Sequence, residues 1–259
     1  MSGAGDPQNR LQWYGRRHGH KLRPHRQALI DTLLPRLRLA PPADGGTVDL
    51  AGAFAGPVRD TWLEVGFGAG EHLAAQAEAH PDVGFVGCEP FVNGIASLLS
   101  HIESRGLGNV RIYDDDARRL LPSLADAAVG GVFALFSDPW PKKRHHRRRF
   151  ITDDTLDQLA RIMKDGAELR IASDHGGYVA WTLERVTRHP AFAWPARQRS
   201  DWTEPPPDWV ETRYERKARK QGARPVYLRF RRRPRAVRGA VREAVPGPRA
   251  GAGKVVESH

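Results

Sequence analysis

The segment Asp60-Thr-Trp-Leu-Glu64-Val-Gly66-Phe-Gly68-Ala-Gly70-Glu71 restricts this chain more than any other. A short apolar run bearing one carboxylate passes directly into three alternating glycines, and Leu73, Ala74 and Ala77 follow at helical spacing. Glycine readily adopts the left-handed backbone that so tight a reversal needs, so the stretch predicts a strand, a turn and a helix wrapped on a small ligand. A pyrophosphate-binding turn would read G-x-G-x-x-G, with open N–H groups at the helix start. Here Glu71 stands at the third glycine position, and its carboxylate, with Glu64 at the strand end, would repel a diphosphate. The same surroundings suit a phosphate-free adenosyl compound carrying an ammonium and a sulfonium, which describes S-adenosylmethionine. Read alone, the glycine turn is equally compatible with a connection that binds nothing.

Charge distribution sharpens the choice. The chain of 259 residues has a net charge of +11 and a pI near 10.4. Residues 61–141 nevertheless hold four Arg and no Lys against eleven Asp and Glu, which leaves that segment at −7 and the remainder at +18. Arg-for-Lys bias explains the basic residues but not their absence from the middle of the chain. An acidic ligand-binding half with basic flanks implies two ligands, a cationic or neutral small molecule and a polyanion. A hydrophobic content of 40% supports one sizeable core with extensions. Cys88 is the single cysteine, so no intrachain disulfide forms and a cytoplasmic setting is expected. The longest apolar-plus-glycine stretch, about 129–136, is too short to span a bilayer; neither a membrane nor a metal partner is expected.

Along the chain, residues 1–9 have nothing to bury and read as disordered. Residues 10–26 mix Trp13 and Tyr14 with Arg16, Arg17, Lys21, Arg23 and Arg26, a pattern equally suited to a phosphate-binding arm and to a solvated one. A helix is predicted over 27–34, ending before Pro35. From residue 61, strands are predicted at 61–65, 83–88, 109–113, 129–136 and 167–173. Helices fall between them: 69–80, one through Val92 to Ile102, 117–124, one from the N-cap Thr152 closed by Gly166, and 177–187. A late strand covers 226–231. This alternation predicts an α/β fold, a mostly parallel sheet with helices on both faces and ligands at the carboxyl ends of its strands. The expected division is a basic N-terminal extension over 1–60, partly disordered, one domain over 61–233, and a disordered basic tail over 234–259.

Several residues at the strand ends carry candidate chemistry. Glu89 follows the second strand, where an acid can accept both ribose hydroxyls of an adenosine. Asp116 follows the third, placed for an adenine amino group or, with Asp114 and Asp115, forming a solvated acidic turn. The fourth strand ends in Ser137-Asp138-Pro139-Trp140-Pro141, and six of the next eight residues are Lys or Arg. An acid thus stands beside a phosphate-binding loop or a solvated basic face. Asp174 ends the fifth strand, as an N-cap or in the same functional layer. Residues 208–217 could form a substrate loop or a charged helix.

Taken together, L-E-V-G-F-G-A-G-E, Cys88-Glu89-Pro90, Asn109-Val-Arg with Asp116-Ala117, D-P-W-P-K-K-R-H-x-R-R-R, S-D-H-x-x-Y and T-R-Y-E resemble the bacterial tRNA (guanine-N7-)-methyltransferase family, in order over roughly residues 10–231. The resemblance implies a class I S-adenosylmethionine-dependent methyltransferase fold of Rossmann-like topology and methylation of a guanine in the tRNA variable loop. It implies cofactor contacts from Glu64, Gly66, Gly68, Gly70, Glu89, Asp116 and Asp138, with Asp138 as the active-site residue. Substrate contacts fall to Lys142, Asp174, Thr212, Arg213, Tyr214 and Glu215, and RNA contacts to Arg144, His145, His146, Arg147, Arg148 and Arg149. One departure is Ser137, where the family usually has proline, which removes a backbone restraint beside Asp138. Two other readings are open: an amino-group methyltransferase acting on adenine or cytosine, since S-D-P-W resembles the corresponding motif of those enzymes, and a non-catalytic RNA-binding protein.

Overall fold

The computed structural model describes residues 14–235. The expected disorder of residues 1–9 and nearly all of the expected tail lie outside the described residues. Seven strands form one sheet in the order β3-β2-β1-β4-β5-β7-β6. They are β1 (Asp60–Val65), β2 (Val83–Cys88), β3 (Val110–Tyr113), β4 (Val129–Leu135), β5 (Met163–Ser173), β6 (Phe192–Ala193) and β7 (Val226–Arg232). The first five run parallel, and β7 is antiparallel to both neighbours. Every residue of β2 is buried, as a parallel strand covered on both faces requires.

Nine helices surround the sheet among the described residues: α1 (Pro24–Thr32), α2 (Leu34–Leu37), α3 (Glu71–Ala79), α4 (Val92–Arg105), α5 (Ala117–Leu120), α6 (Asp153–Ile162), α7 (Gly176–Arg188), α8 (Ser200–Thr203) and α9 (Arg213–Lys220). Two apolar clusters sandwich the sheet. One joins Leu29 of α1, Leu73 of α3 and Leu98 and Leu99 of α4 to Phe85 and Ile112. The other joins Leu156 and Leu159 of α6 and Tyr178 and Val186 of α7 to Val132 and Leu169.

Two local expectations give way to different structure. Pro35 does not end a single helix; it lies in the first turn of α2, where its missing N–H costs nothing, as Pro24 does in α1. Thr152 caps α6 as predicted, through a reciprocal capping box with Thr155, but the helix stops at Ile162 and β5 already begins at Met163. Gly166 therefore is not a helix terminator. With φ of +81° it sits in β5, where the register against β4 shifts between Val129 and Gly131, the left-handed kink of a bulge. Of residues 208–217, which suit either a substrate loop or a charged helix, 213–217 are helical, in α9, and 208–212 are not.

Part of the segment expected as an extension is built into the fold. Leu29, Leu34, Leu37 and Leu39 are buried, Leu39 N–H donates to the Ile112 carbonyl at 2.8 Å, and Arg38 forms a parallel bridge with Ile112. The apolar spacing that does this is short and interrupted by prolines and arginines, so it left little periodicity to read.

Candidate functional site

The strand order reverses between β1 and β4, and the carboxyl ends of β1, β2 and β4 meet there around a cavity of about 370 Å³. The glycine turn forms one wall. Gly66, Gly68 and Gly70 all have positive φ, between 60° and 79°, and Gly66 N–H donates to the Cys88 carbonyl at 2.8 Å. The turn is also closely packed from outside: a Cβ on Gly94, in the first turn of α4, would strike the Gly68 carbonyl. A side chain at Gly68 would be strained by its positive φ, and its Cβ would lie 2.7 Å from the Tyr214 ring, which would have to move.

Three carboxylates line this cavity: Glu89, Asp116 and Asp138. Glu89 accepts Gly68 N–H at 2.8 Å through one oxygen and Phe91 N–H at 3.0 Å through the other, tying the second strand end to the glycine turn. Burial pushes its carboxyl up to about 7; those two N–H groups work against the rise, and the charges of Asp138 and Glu64 add to it. Asp116 caps α5 by accepting Arg118 N–H at 3.0 Å and is clasped by the Arg118 guanidinium. It is thus neither a free solvated turn nor a bare acceptor; its charge is partly neutralised. Burial also raises the Asp138 carboxyl above the usual carboxylate range.

Asp138 sits in a strained loop that backbone pairing and one buried cation hold in place. Phe136 and Trp140 flank it with φ of 50° and 42°, conformations that cost L-residues roughly 1–3 kcal/mol each and persist only when the surroundings enforce them. The enforcement is visible: Phe136 N–H donates to the Ala172 carbonyl at 2.8 Å. Arg149, 2% exposed, donates to the carbonyls of Pro139 at 2.8 Å and Trp140 at 3.5 Å, and its guanidinium lies over the Trp181 ring at 4.7 Å. These contacts hold the backbone on both sides of Ser137 and Asp138.

Not every predicted residue reaches the cavity. Glu64 is turned under the glycine turn, where it meets His72 Nδ1 at 2.7 Å, and both groups are buried. Gly70 is the N-cap of α3 and its α-carbon faces Leu98. Arg149 is a clamp for the Asp138 loop and is too buried to contact RNA directly. Residues Lys143–Arg148 form a single 3-10 stretch, preceded by Lys142. Lys142, Lys143, Arg144 and Arg147 are exposed, whereas His145 and His146 set ring edges against Trp140 and Trp181.

On α9, Thr212 and Glu215 are structural. Thr212 is the N-cap and accepts Glu215 N–H. Glu215, 1% exposed, accepts from Trp209 Nε1 at 2.6 Å, from the Arg219 guanidinium and from the Tyr227 hydroxyl, so its carboxylate is turned into the protein rather than toward the cavity. Arg213 anchors the helix to Glu71 at 2.7 Å, and Tyr214, 48% exposed, projects into the cavity wall. Asp174 is exposed at the end of β5; the N-cap of α7 is His175, whose Nδ1 accepts Tyr178 N–H at 3.2 Å.

The N-terminal arm, readable in the sequence only as a phosphate-binding or solvated segment, forms part of the cavity wall. Tyr14, Gly15 and Arg16 line the same cavity. Arg148 lies over the Tyr14 ring at 4.0 Å and the Trp140 ring at 4.9 Å, joining the arm to the Asp138 loop. Farther along, the Arg17 carbonyl accepts Val92 N–H, Arg17 pairs with Asp115, and Asn93 bonds Gly19 N–H and the His20 carbonyl. The signal was Tyr14 among arginines, but its partners, Trp140 and Arg148, lie more than a hundred residues away.

The cavity fits an adenosyl methyl donor on its own evidence. Its volume is in the range for a small-molecule site, and its three acids offer acceptors for hydroxyl, amino and cationic groups. Over residues 59–228 the chain matches the family described as "Putative methyltransferase". It is 52% identical to a tRNA (guanine-N(7)-)-methyltransferase of Rhodospirillum rubrum, with 93% of this chain and 96% of the relative covered. It is 50% identical to the enzyme of the same description in Nitrobacter hamburgensis, covering 85% and 86%. Among solved structures it is similar in fold to the 16S rRNA methyltransferase KamB, with a TM-score of 0.50, 19% identity and coverage of 68% of this chain and 89% of that one. The sheet is the Rossmann-like sheet of a class I S-adenosylmethionine-dependent methyltransferase, and the chain belongs to the tRNA (guanine-N7-)-methyltransferase family.

Proposed function

We propose that this protein methylates N7 of a guanine in the variable loop of tRNA. The observation that carries the reading is the meeting of two surfaces: a cavity with three carboxylates, and beside it a turn presenting Lys142, Lys143 and Arg147, all exposed and without ion-pair partners among the described residues. When bound, S-adenosylmethionine supplies a methyl group on a positively charged sulfur. Glu89 and Asp116 are placed to accept from its adenosyl hydroxyl and amino groups.

Guanine N7 carries a lone pair and no proton, so its attack requires no general base. The residues have to align the purine and favour the positive charge it acquires. Asp138 does this as an ionised carboxylate at the cavity wall, held by the Arg149 clamp. Tyr214 offers a ring face to the base, and the exposed Asp174 is the remaining carboxylate able to accept from the guanine N1–H and amino group. Lys142, Lys143, Arg144 and Arg147 hold phosphates, since a base must leave its stack to reach the cavity.

The test is incubation with methyl-labelled donor and unmodified tRNA, followed by nucleoside mass spectrometry. Label confined to N7-methylguanosine supports the reading; label on an exocyclic amino group of adenine or cytosine, or none, overturns it.

A further inference from the structure

A second concave surface lies on the same rim. β7 runs antiparallel to β5 with Val226 opposite Ser173, so the loop entering β7 sits where β5 ends and Asp174 begins. α8 packs on β7 from one side, and α9 closes the other. Between them is a cleft of about 700 Å³ lined by Arg199, Trp202, Thr203, Arg219, Arg224 and Pro225.

Its charges are unevenly committed. Arg219 is engaged by Glu215 and the Tyr227 hydroxyl. Arg199 and Arg224 are exposed, and neither guanidinium has a hydrogen-bond, ion-pair or ring partner among the described residues. None of the nearby acids among the described residues pairs with them: Asp201 accepts Arg197 N–H and Gln198 N–H, Glu211 pairs with Arg216 at 3.0 Å, and Glu204, exposed after Thr203, forms no ion pair with either guanidinium. Trp202 is braced from behind by Trp194, their ring centroids 5.4 Å apart. Two free guanidinium groups around an open, aromatic-sided cleft repel one another and attract a ligand with more than one negative charge. β7 is two strand spacings from β4, roughly 10 Å along the rim, within reach of one continuous polyanion that also enters the cavity.

We propose that this cleft is a second RNA site, in which Arg199 and Arg224 hold phosphodiester groups of the tRNA a few nucleotides from the reacting guanine. The inference rests on the reading of the protein as a tRNA methyltransferase. Its chemistry is that of a backbone contact, which fixes register without reading sequence.

The test compares wild type with the double variant Arg199→Ala, Arg224→Ala, using fluorescence anisotropy with full-length unmodified tRNA across a salt series. Each lost phosphate contact reduces the slope of log affinity against log salt by about one, so the slope should become shallower by about two, with Kd rising roughly tenfold at 0.1 M salt. KM for tRNA should rise in step, while kcat stays within about twofold and the Kd for S-adenosylmethionine, read by calorimetry, does not move. The paired lysine variant, Arg199→Lys, Arg224→Lys, should restore most of the slope, because charge is retained. An alanine variant with wild-type Kd and slope would overturn the second site. If the wild-type protein itself places no methyl on guanine N7, the underlying reading fails instead, so the two failures are distinguishable.

Discussion

Glu89 sets the clearest residue-scale expectation. Because burial raises its carboxyl to about 7, the folded protein keeps a proton there that the unfolded chain releases near pH 4.5. The contribution of this group to stability therefore falls as pH rises from about 4.5 to 7. Binding that uses the ionised carboxylate runs the other way: affinity for S-adenosylmethionine should climb toward pH 7 and level off above it. Below pH 7, calorimetry in buffers of different ionisation heat should register proton release, and an affinity flat from pH 5.5 to 8 would remove Glu89 from the contact. Glu89→Gln cannot accept Gly68 N–H and Phe91 N–H equally well, and should weaken the cofactor by about 2 kcal/mol, roughly 30-fold. Arg147 and Arg149 separate the two meanings of the basic run. Arg147→Ala should leave stability within about 0.5 kcal/mol and make the salt slope of tRNA binding shallower by about one. Arg149→Met should cost about 2 kcal/mol in urea unfolding and lower kcat, since two loop carbonyls lose their donor, while the salt slope stays as in wild type. Both are basic residues in one run by sequence; burial distinguishes them, and that burial involves Trp181 of α7, 32 residues after Arg149.

At the scale of elements, α9 is a fixed piece of the site. Glu215 joins Trp209, Arg219 and Tyr227, so Glu215→Ala should destabilise the protein by about 3 kcal/mol through the donors it strands. Thr212→Ala, which removes only the cap, should cost about 1 kcal/mol; urea midpoints at constant m-value measure both. Helices and strands from 60 to 135 were legible because glycine turns and periodic apolar residues agree there. The boundary at 162–166 was not: Ile162 and Met163 continue a helical spacing, and only pairing with β4 shows that the chain has changed to strand. α9 carries little apolar periodicity, because what it buries is a carboxylate.

For the whole molecule, the segregation of charge along the sequence becomes a segregation in space. The acids of residues 61–141 supply Glu89, Asp116 and Asp138 to one cavity, and the basic flanks supply the turn after Asp138 and the cleft beside β7. The glycine turn, the strand-end acids and the basic run were all readable, since each is a local pattern tied to a strand end. The arm carrying Tyr14, the Arg149 clamp and the Glu64–His72 pair were not, because each depends on a contact made only when the sheet is assembled. One central claim remains: a rigidly held carboxylate at the end of β4 favours the charge that guanine gains, without taking a proton. The most direct test is the single-turnover methyl-transfer rate of Asp138→Asn with saturating donor and tRNA. The account predicts a fall of about 10²-fold, with Kd values for donor and tRNA within about threefold of wild type; a wild-type rate under those conditions would contradict it.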